Sequence, residues 1–111
     1  MAHIDALFDR LLQQGASDLH LGVGYPPLAR ARGDLVPIAK NALSRSDIET
    51  LLFEILTPEQ RTKIENDLDL DFAYAFGEKA RFRANYFHKA TGLAAVFRTI
   101  PTRIRTLNEL G

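Results

Sequence analysis

Three arginines, Arg81, Arg83 and Arg98, alternate with apolar residues in Ala80-Arg81-Phe82-Arg83-Ala84-Asn85-Tyr86-Phe87 and Val96-Phe97-Arg98-Thr99-Ile100-Pro101. A guanidinium is a planar fork of N–H donors that grips a phosphate or carboxylate through two bonds at once, which the point charge of lysine does not do. The alternation has the two-residue period of a strand, so the cationic side chains of each segment share a face. If the segments pair as a hairpin, up to three guanidinium groups crowd one face of a sheet. Like charges placed opposite one another cost stability unless an anion meets them. A neighbouring aspartate or a nucleotide phosphate would serve. The chain has no phosphate loop of its own, for Gly22-Val23-Gly24 lacks the Gly-Lys-Ser/Thr that holds phosphate and magnesium.

The flanking segments must position these groups. Leu68, Leu70, Phe72, Tyr74 and Phe76 alternate with Asp69, Asp71, Ala73 and Ala75, a strand with one apolar face. A three-residue turn at 77–79 then sets Phe76 opposite Ala80, Tyr74 opposite Phe82, Phe72 opposite Ala84 and Leu70 opposite Tyr86. Arg81 and Arg83 face the other way, above Ala75 and Ala73, where small partners leave room for a ligand. A four-residue turn at 89–92 sets His88 opposite Leu93 and Arg83 opposite Arg98. Changing that loop by one residue moves Arg98 to the opposite face. Asp69 and Asp71 lie within diagonal reach of Arg83, so surface ion pairs also account for the pattern.

Upstream, Ile4, Leu7, Phe8 and Leu11 recur at helical spacing and predict an amphipathic helix over 3–14, ended by Gly15. Ser17-Asp18-Leu19-His20-Leu21 alternates as a short strand until Gly22, Gly24, Pro26 and Pro27 interrupt it. Leu28 to Arg32 and Leu35 to Ile38 read as two strands joined by a type II′ turn at Gly33-Asp34. Ser44 and Asp47 precede a helical stripe of Ile48, Leu51, Leu52 and Ile55. Thr57-Pro58-Glu59-Gln60 supplies a cap, a helix-ready proline and the partner of a capping box for a further helix through about Asn66. The order is α-β-β-β-α-α-β-β-β, an α+β domain with a mainly antiparallel sheet of about six strands and about three helices. After Pro101 the composition changes. The expected division is a domain over 1–100 and, over 101–111, the start of an interdomain linker.

The 111 residues are 46% hydrophobic and 25% charged, the balance of an ordinary soluble domain. Zero formal net charge argues against a general nucleic-acid binder. Charge is nonetheless unevenly placed: residues 1–77 hold 7 Lys/Arg against 12 Asp/Glu, and 78–111 hold 7 against 2. An anionic ligand or partner at the C-terminal third fits that split. With no cysteine, disulfides and thiolate metal sites are excluded.

Other constellations are weaker. Asp67, Asp69 and Asp71 with Glu78 imitate a calcium loop, but Phe72 stands where glycine is required. His3, His20 and His88 are too scattered to suggest zinc. Asp18 and His20 share a strand face and read as a polar pair, with no nucleophile beside them to make an enzyme site.

Ala16-Ser17-Asp18-Leu19-His20-Leu21, the Pro26-Pro27 pair, Arg81-Phe82-Arg83-Ala84-Asn85, Phe97-Arg98-Thr99-Ile100-Pro101 and Leu107-Asn108-Glu109-Leu110-Gly111 resemble the N-terminal domain of the PilT/PilU family of type IV pilus retraction ATPases, within the secretion-ATPase superfamily. The resemblance covers essentially the whole chain. It implies a PAS-like domain joined by a linker to a RecA-like ATPase core, assembled as a cytoplasmic homohexamer at the inner-membrane pilus base. ATP and magnesium would be held by the core, so the domain alone is not expected to hydrolyse ATP or to bind it tightly. The residues matching the family's nucleotide-closing arginines are Arg81, Arg83 and Arg98. Segment 101–111 would be the hinge. A stand-alone PAS-like interaction or sensor module, with salt-bridged surface arginines, is the alternative.

Overall fold

The computed structural model describes residues 3–78 and 80–100. The expected linker over 101–111, with its Leu107–Gly111 motif, lies outside the described residues. Helix α1 (Ile4–Gln13) buries Ile4, Phe8 and Leu11 along one stripe. It ends where expected. Gly15 takes φ 64° and donates its N–H to Leu12, while Ala16 donates to Leu11. That pair of bonds satisfies two terminal carbonyls and needs the left-handed residue that glycine supplies.

Strands β1 (Asp18–Leu21), β2 (Leu28–Ala31) and β3 (Asp34–Pro37) follow. The turn between β2 and β3 corrects the sequence expectation. Ala31 pairs with Asp34, so the loop is Arg32-Gly33 rather than Gly33-Asp34. Both loop residues have positive φ, 54° and 86°, which makes the turn type I′ rather than II′. Tertiary pairing prevails over the preference of arginine for negative φ.

Helix α2 (Arg45–Phe53) is started by a reciprocal capping box between Ser44 and Asp47, and α3 (Pro58–Asp67) by one between Thr57 and Gln60. Each box satisfies orphan N–H groups at the helix start. Leu68 closes α3 at φ 67° and is 59% exposed. Strands β4 (Asp69–Phe76), β5 (Ala80–Lys89) and β6 (Gly92–Ile100) complete an α+β, PAS-like domain.

The sheet has six strands in the order β3-β2-β1-β6-β5-β4, every neighbouring pair antiparallel. The β4–β5 register is the one expected, Phe76 to Ala80 through Leu70 to Tyr86. Between β5 and β6 the ladder reaches Lys89 and Gly92, leaving Ala90-Thr91 as the turn and Arg83 opposite Arg98. The three described helices pack on one face. Ile4, Phe8, Leu11, Ile48, Leu52 and Ile64 meet Leu19, Leu21, Phe82, Tyr86 and Phe97 in one buried core. Phe8 is its centre, stacked on Phe82 at 4.3 Å and edge-on to Phe97 at 5.0 Å. Rings in these orientations gain about 0.5–1.5 kcal/mol per pair beyond area burial.

Two polar bonds tie helices to the sheet: Tyr86 donates to the Leu52 carbonyl at 2.7 Å, and Tyr74 to Asp5 Oδ1 at 2.8 Å. Burial, reinforced by the Asp5 carboxylate, raises the Tyr74 phenol to about 12. These features give a pair of opposite expectations. Tyr86→Phe leaves a buried carbonyl unpaired and costs about 1–3 kcal/mol. Leu68→Asn relieves a left-handed leucine that packs little, and stabilises by up to about 1 kcal/mol. Urea unfolding of both variants checks the signs; a destabilised Leu68→Asn would contradict the strain assigned to that residue.

Candidate functional site

The face of the sheet opposite the helices carries the arginines. Because side chains alternate along a strand, placing Phe82, Ala84 and Phe97 in the core puts Arg81, Arg83 and Arg98 on the opposite face. One row of paired residues crosses the sheet there: Arg30 in β2, Asp18 in β1, Arg98 in β6, Arg83 in β5 and Ala73 in β4. Arg81 lies one row further along, between Ile100 and Ala75. Ala73, Ala75, Arg81, Arg83 and Arg98 are all exposed. All three expected site residues therefore share one face.

Their electrostatic surroundings differ. Among the described residues, neither Arg81 nor Arg83 makes an ion pair or a side-chain hydrogen bond. Of the two aspartates expected within reach of Arg83, Asp69 and Asp71, neither pairs with it among the described residues, and Asp71 Oδ1 accepts a 2.8 Å bond from Asn85 Nδ2, its direct partner across the strands. Arg98 does have a carboxylate. Asp18 Oδ2 lies 3.8 Å from Arg98 Nε, 3.7 Å from Arg30 Nε and 3.7 Å from His20 Nε2. The two arginine separations are ion-pair contacts too long for hydrogen bonds, and the His20 contact is one of charge only when the ring is protonated. The Asp18 side chain is 15% exposed, against 63% for Arg98.

Arg30 and the hub role of Asp18 were not reached from the sequence. Arg30 alternates with Ala29 and Ala31, which marks its face, but only the pairing of β1 with both β2 and β6 brings it to Asp18. The Asp18–His20 pair is a contact, and His20 Nε2 is buried without a hydrogen-bond partner. The glycines of Gly22-Val23-Gly24 serve the chain path. A side chain at Gly22 would collide with the Tyr25 ring, and Gly24 has φ 97°. A cavity of ≈ 400 Å³ lined by Leu7, Arg10, Pro27, Leu43 and Leu51 lies on the helical side and shares no residue with the arginine face.

Such a surface can bind an anion of fixed geometry. Arg83 and Arg98 are direct partners across the β5–β6 ladder, Arg81 lies in the next row, and Arg83 and Arg81 have alanines as their β4 partners. Phosphate oxygens match those donors.

Burial lowers the His20 imidazole below its usual 6.5, with Arg30 and Arg98 adding to the shift and the Asp18 carboxylate opposing it. The neutral ring is thus the form favoured by folding. Its contribution to stability is complete above about 6.5 and is lost as pH falls below that value. Asp18→Asn is expected to lower the His20 pKa further, because the one raising influence is removed. A proton–carbon NMR titration reads this directly, and an unchanged or raised value would contradict the contact geometry.

Comparison with known proteins identifies the scaffold. No family model matches the chain. The type IV pilus retraction ATPase PilT of Pseudomonas aeruginosa is 42% identical over 99 residues, 89% of this chain and 29% of its own length. A twitching motility protein of Neisseria gonorrhoeae is 34% identical over 84 residues, 76% of this chain and 22% of its own. A crystal structure of the pilus retraction motor PilT with bound ADP superposes with a TM-score of 0.80 at 28% identity, covering 92% of this chain and 30% of that one. The chain thus spans less than a third of the length of these relatives. By sequence and by fold it belongs, as an N-terminal domain, to the PilT family of type IV pilus retraction ATPases.

Proposed function

We propose that this chain is the regulatory and docking domain of a hexameric pilus retraction ATPase, and that Arg81, Arg83 and Arg98 close on the phosphates of ATP held by a RecA-like core outside this chain. The observation that carries the reading is the juxtaposition of Arg83 and Arg98 on one face of the sheet, where among the described residues neither Arg81 nor Arg83 pairs with a carboxylate. Two like charges held side by side suit a surface completed by an anion. The ADP bound in the PilT structure supports a nucleotide as that anion.

On this reading the core supplies the phosphate loop and magnesium, and the domain supplies positive charge from above. Guanidinium groups that arrive as charge builds on the phosphoryl oxygens stabilise the transition state more than the ground state. The rigid sheet fixes their spacing, and rotation of the domain about the 101–111 segment decides when they arrive. Its partners are the core domains of its own and the neighbouring subunit, with pilus-base proteins at the inner membrane. The assembly works on the cytoplasmic side. None of the described helices is long and apolar enough to cross a membrane.

In the full-length protein, Arg83→Ala should lower ATP turnover on the order of 100-fold while the domain keeps its thermal midpoint. Arg83→Lys should recover only part, since it restores charge without the bidentate fork. Steady-state ATPase assays decide; turnover at the parental value would remove Arg83 from the mechanism. The isolated chain should show no saturable ATP binding by calorimetry up to about 1 mM, because it lacks the backbone cradle at a helix N-terminus. Micromolar affinity would contradict the division of the site between two domains.

A further inference from the structure

Arg98 sits between two neighbours of opposite sign. On its β1 side is Asp18, the carboxylate 3.8 Å from Nε, and on its β5 side is Arg83. We propose that Asp18 is a positioning residue that restrains Arg98 over β1 and must release it when the guanidinium engages a nucleotide phosphate. This rests on the phosphate role of Arg98 proposed above and adds a control on that role.

Three features carry it. Asp18 is built into β1, an interior strand paired on both sides, so its carboxylate is anchored while the mostly exposed Arg98 head is free to change rotamer. The contact lacks a hydrogen bond, so it restrains the guanidinium without locking it. Asp18 also divides its charge. Arg30, at 3.7 Å on the opposite side, competes with Arg98 for the same oxygen, and His20 Nε2 adjoins it. A phosphate near Arg83 would draw Arg98 in the direction opposite to Asp18. The opposed pulls make the apparent nucleotide affinity depend on residues that never touch the nucleotide.

The test uses the full-length ATPase and the non-hydrolysable analogue AMP-PNP with magnesium, its Kd measured by calorimetry. Asp18→Asn frees Arg98 and should tighten binding up to about five-fold, the range expected of a partly exposed ion pair. Arg30→Gln leaves Asp18 to Arg98 alone and should weaken binding, about two-fold. In the double variant Asp18→Asn/Arg98→Ala the tightening should vanish, leaving the affinity of Arg98→Ala. Asp18→Glu should return the affinity toward the parental value. A merely structural role for Asp18 would not give opposite signs for Asp18→Asn and Arg30→Gln, nor a gain that depends on Arg98.

If Arg98→Ala weakens binding but Asp18→Asn does not tighten it, the restraint is wrong and the phosphate role stands. If Arg98→Ala binds AMP-PNP as the parent does, the phosphate role of Arg98 falls and the restraint falls with it. Arg30→Gln keeps Asp18 intact, so its expected sign remains decisive should Asp18→Asn fail to fold.

Discussion

Phe8 contacts four aromatic rings contributed by three strands: Tyr74 and Phe76 from β4, Phe82 from β5 and Phe97 from β6. A strand presents alternate residues to opposite faces, so once Phe82 and Phe97 are committed to Phe8 their neighbours have no choice. Arg81, Arg83 and Arg98 must emerge on the far side. Slipping β6 by one residue against β5 would bury a guanidinium under α1, at the high cost of an unpaired charge in an apolar core. The same aromatic contacts that stabilise the core therefore enforce the alignment of the charges. Site and core are one constraint seen from two faces.

That constraint has an electrostatic consequence. Arg83 and Arg98 face each other across the ladder, and such pairs are destabilising in an isolated sheet. Compensation is one-sided. Asp18 lies beside Arg98, whereas the Asp71 carboxylate nearest Arg83 in sequence register is bonded to Asn85. Ordinary surface ion pairing, a sufficient explanation when only the sequence is considered, would place carboxylates around Arg83 and Arg81. Among the described residues, those two positions instead have exposed alanines as their β4 partners and no ion pair.

The hairpin was legible because it is local. Its register follows from two short turns and a run of alternating residues, and the β4–β5–β6 pairing was reached to the residue. Caps were equally legible, since Ser44 with Asp47 and Thr57 with Gln60 act within four residues. Two things were not. The Arg32-Gly33 turn puts an arginine at positive φ, against the residue's own preference, and only the β2–β3 pairing determines it. The Asp18 hub needs β1 to lie between β2 and β6, and the second of those pairings joins the start of the chain to its end. No spacing of residues along the chain announces a contact between Asp18 and Arg98. Long-range strand order is the physical reason that three arginines were found from sequence and the fourth, with its shared carboxylate, was not.

The two faces of the sheet also differ in how firmly their polar groups are held. Toward the helices, Tyr86–Leu52 and Tyr74–Asp5 are hydrogen bonds of 2.7 and 2.8 Å, and they fasten the helical layer to the strands. On the opposite face the guanidinium groups of Arg30 and Arg98 stand 3.7 and 3.8 Å from Asp18, held by attraction without directional bonds. A backbone fixed by register combined with heads fixed only by charge gives each arginine a definite root and a choice of rotamer. Exposed side chains make such choices in picoseconds to nanoseconds, far faster than any domain rotation. If the domain closes on a nucleotide as proposed, that closure sets the rate at which the arginines meet the anion, while the balance among Asp18, Arg30, Arg98 and Arg83 sets how strongly Arg98 responds once it is there.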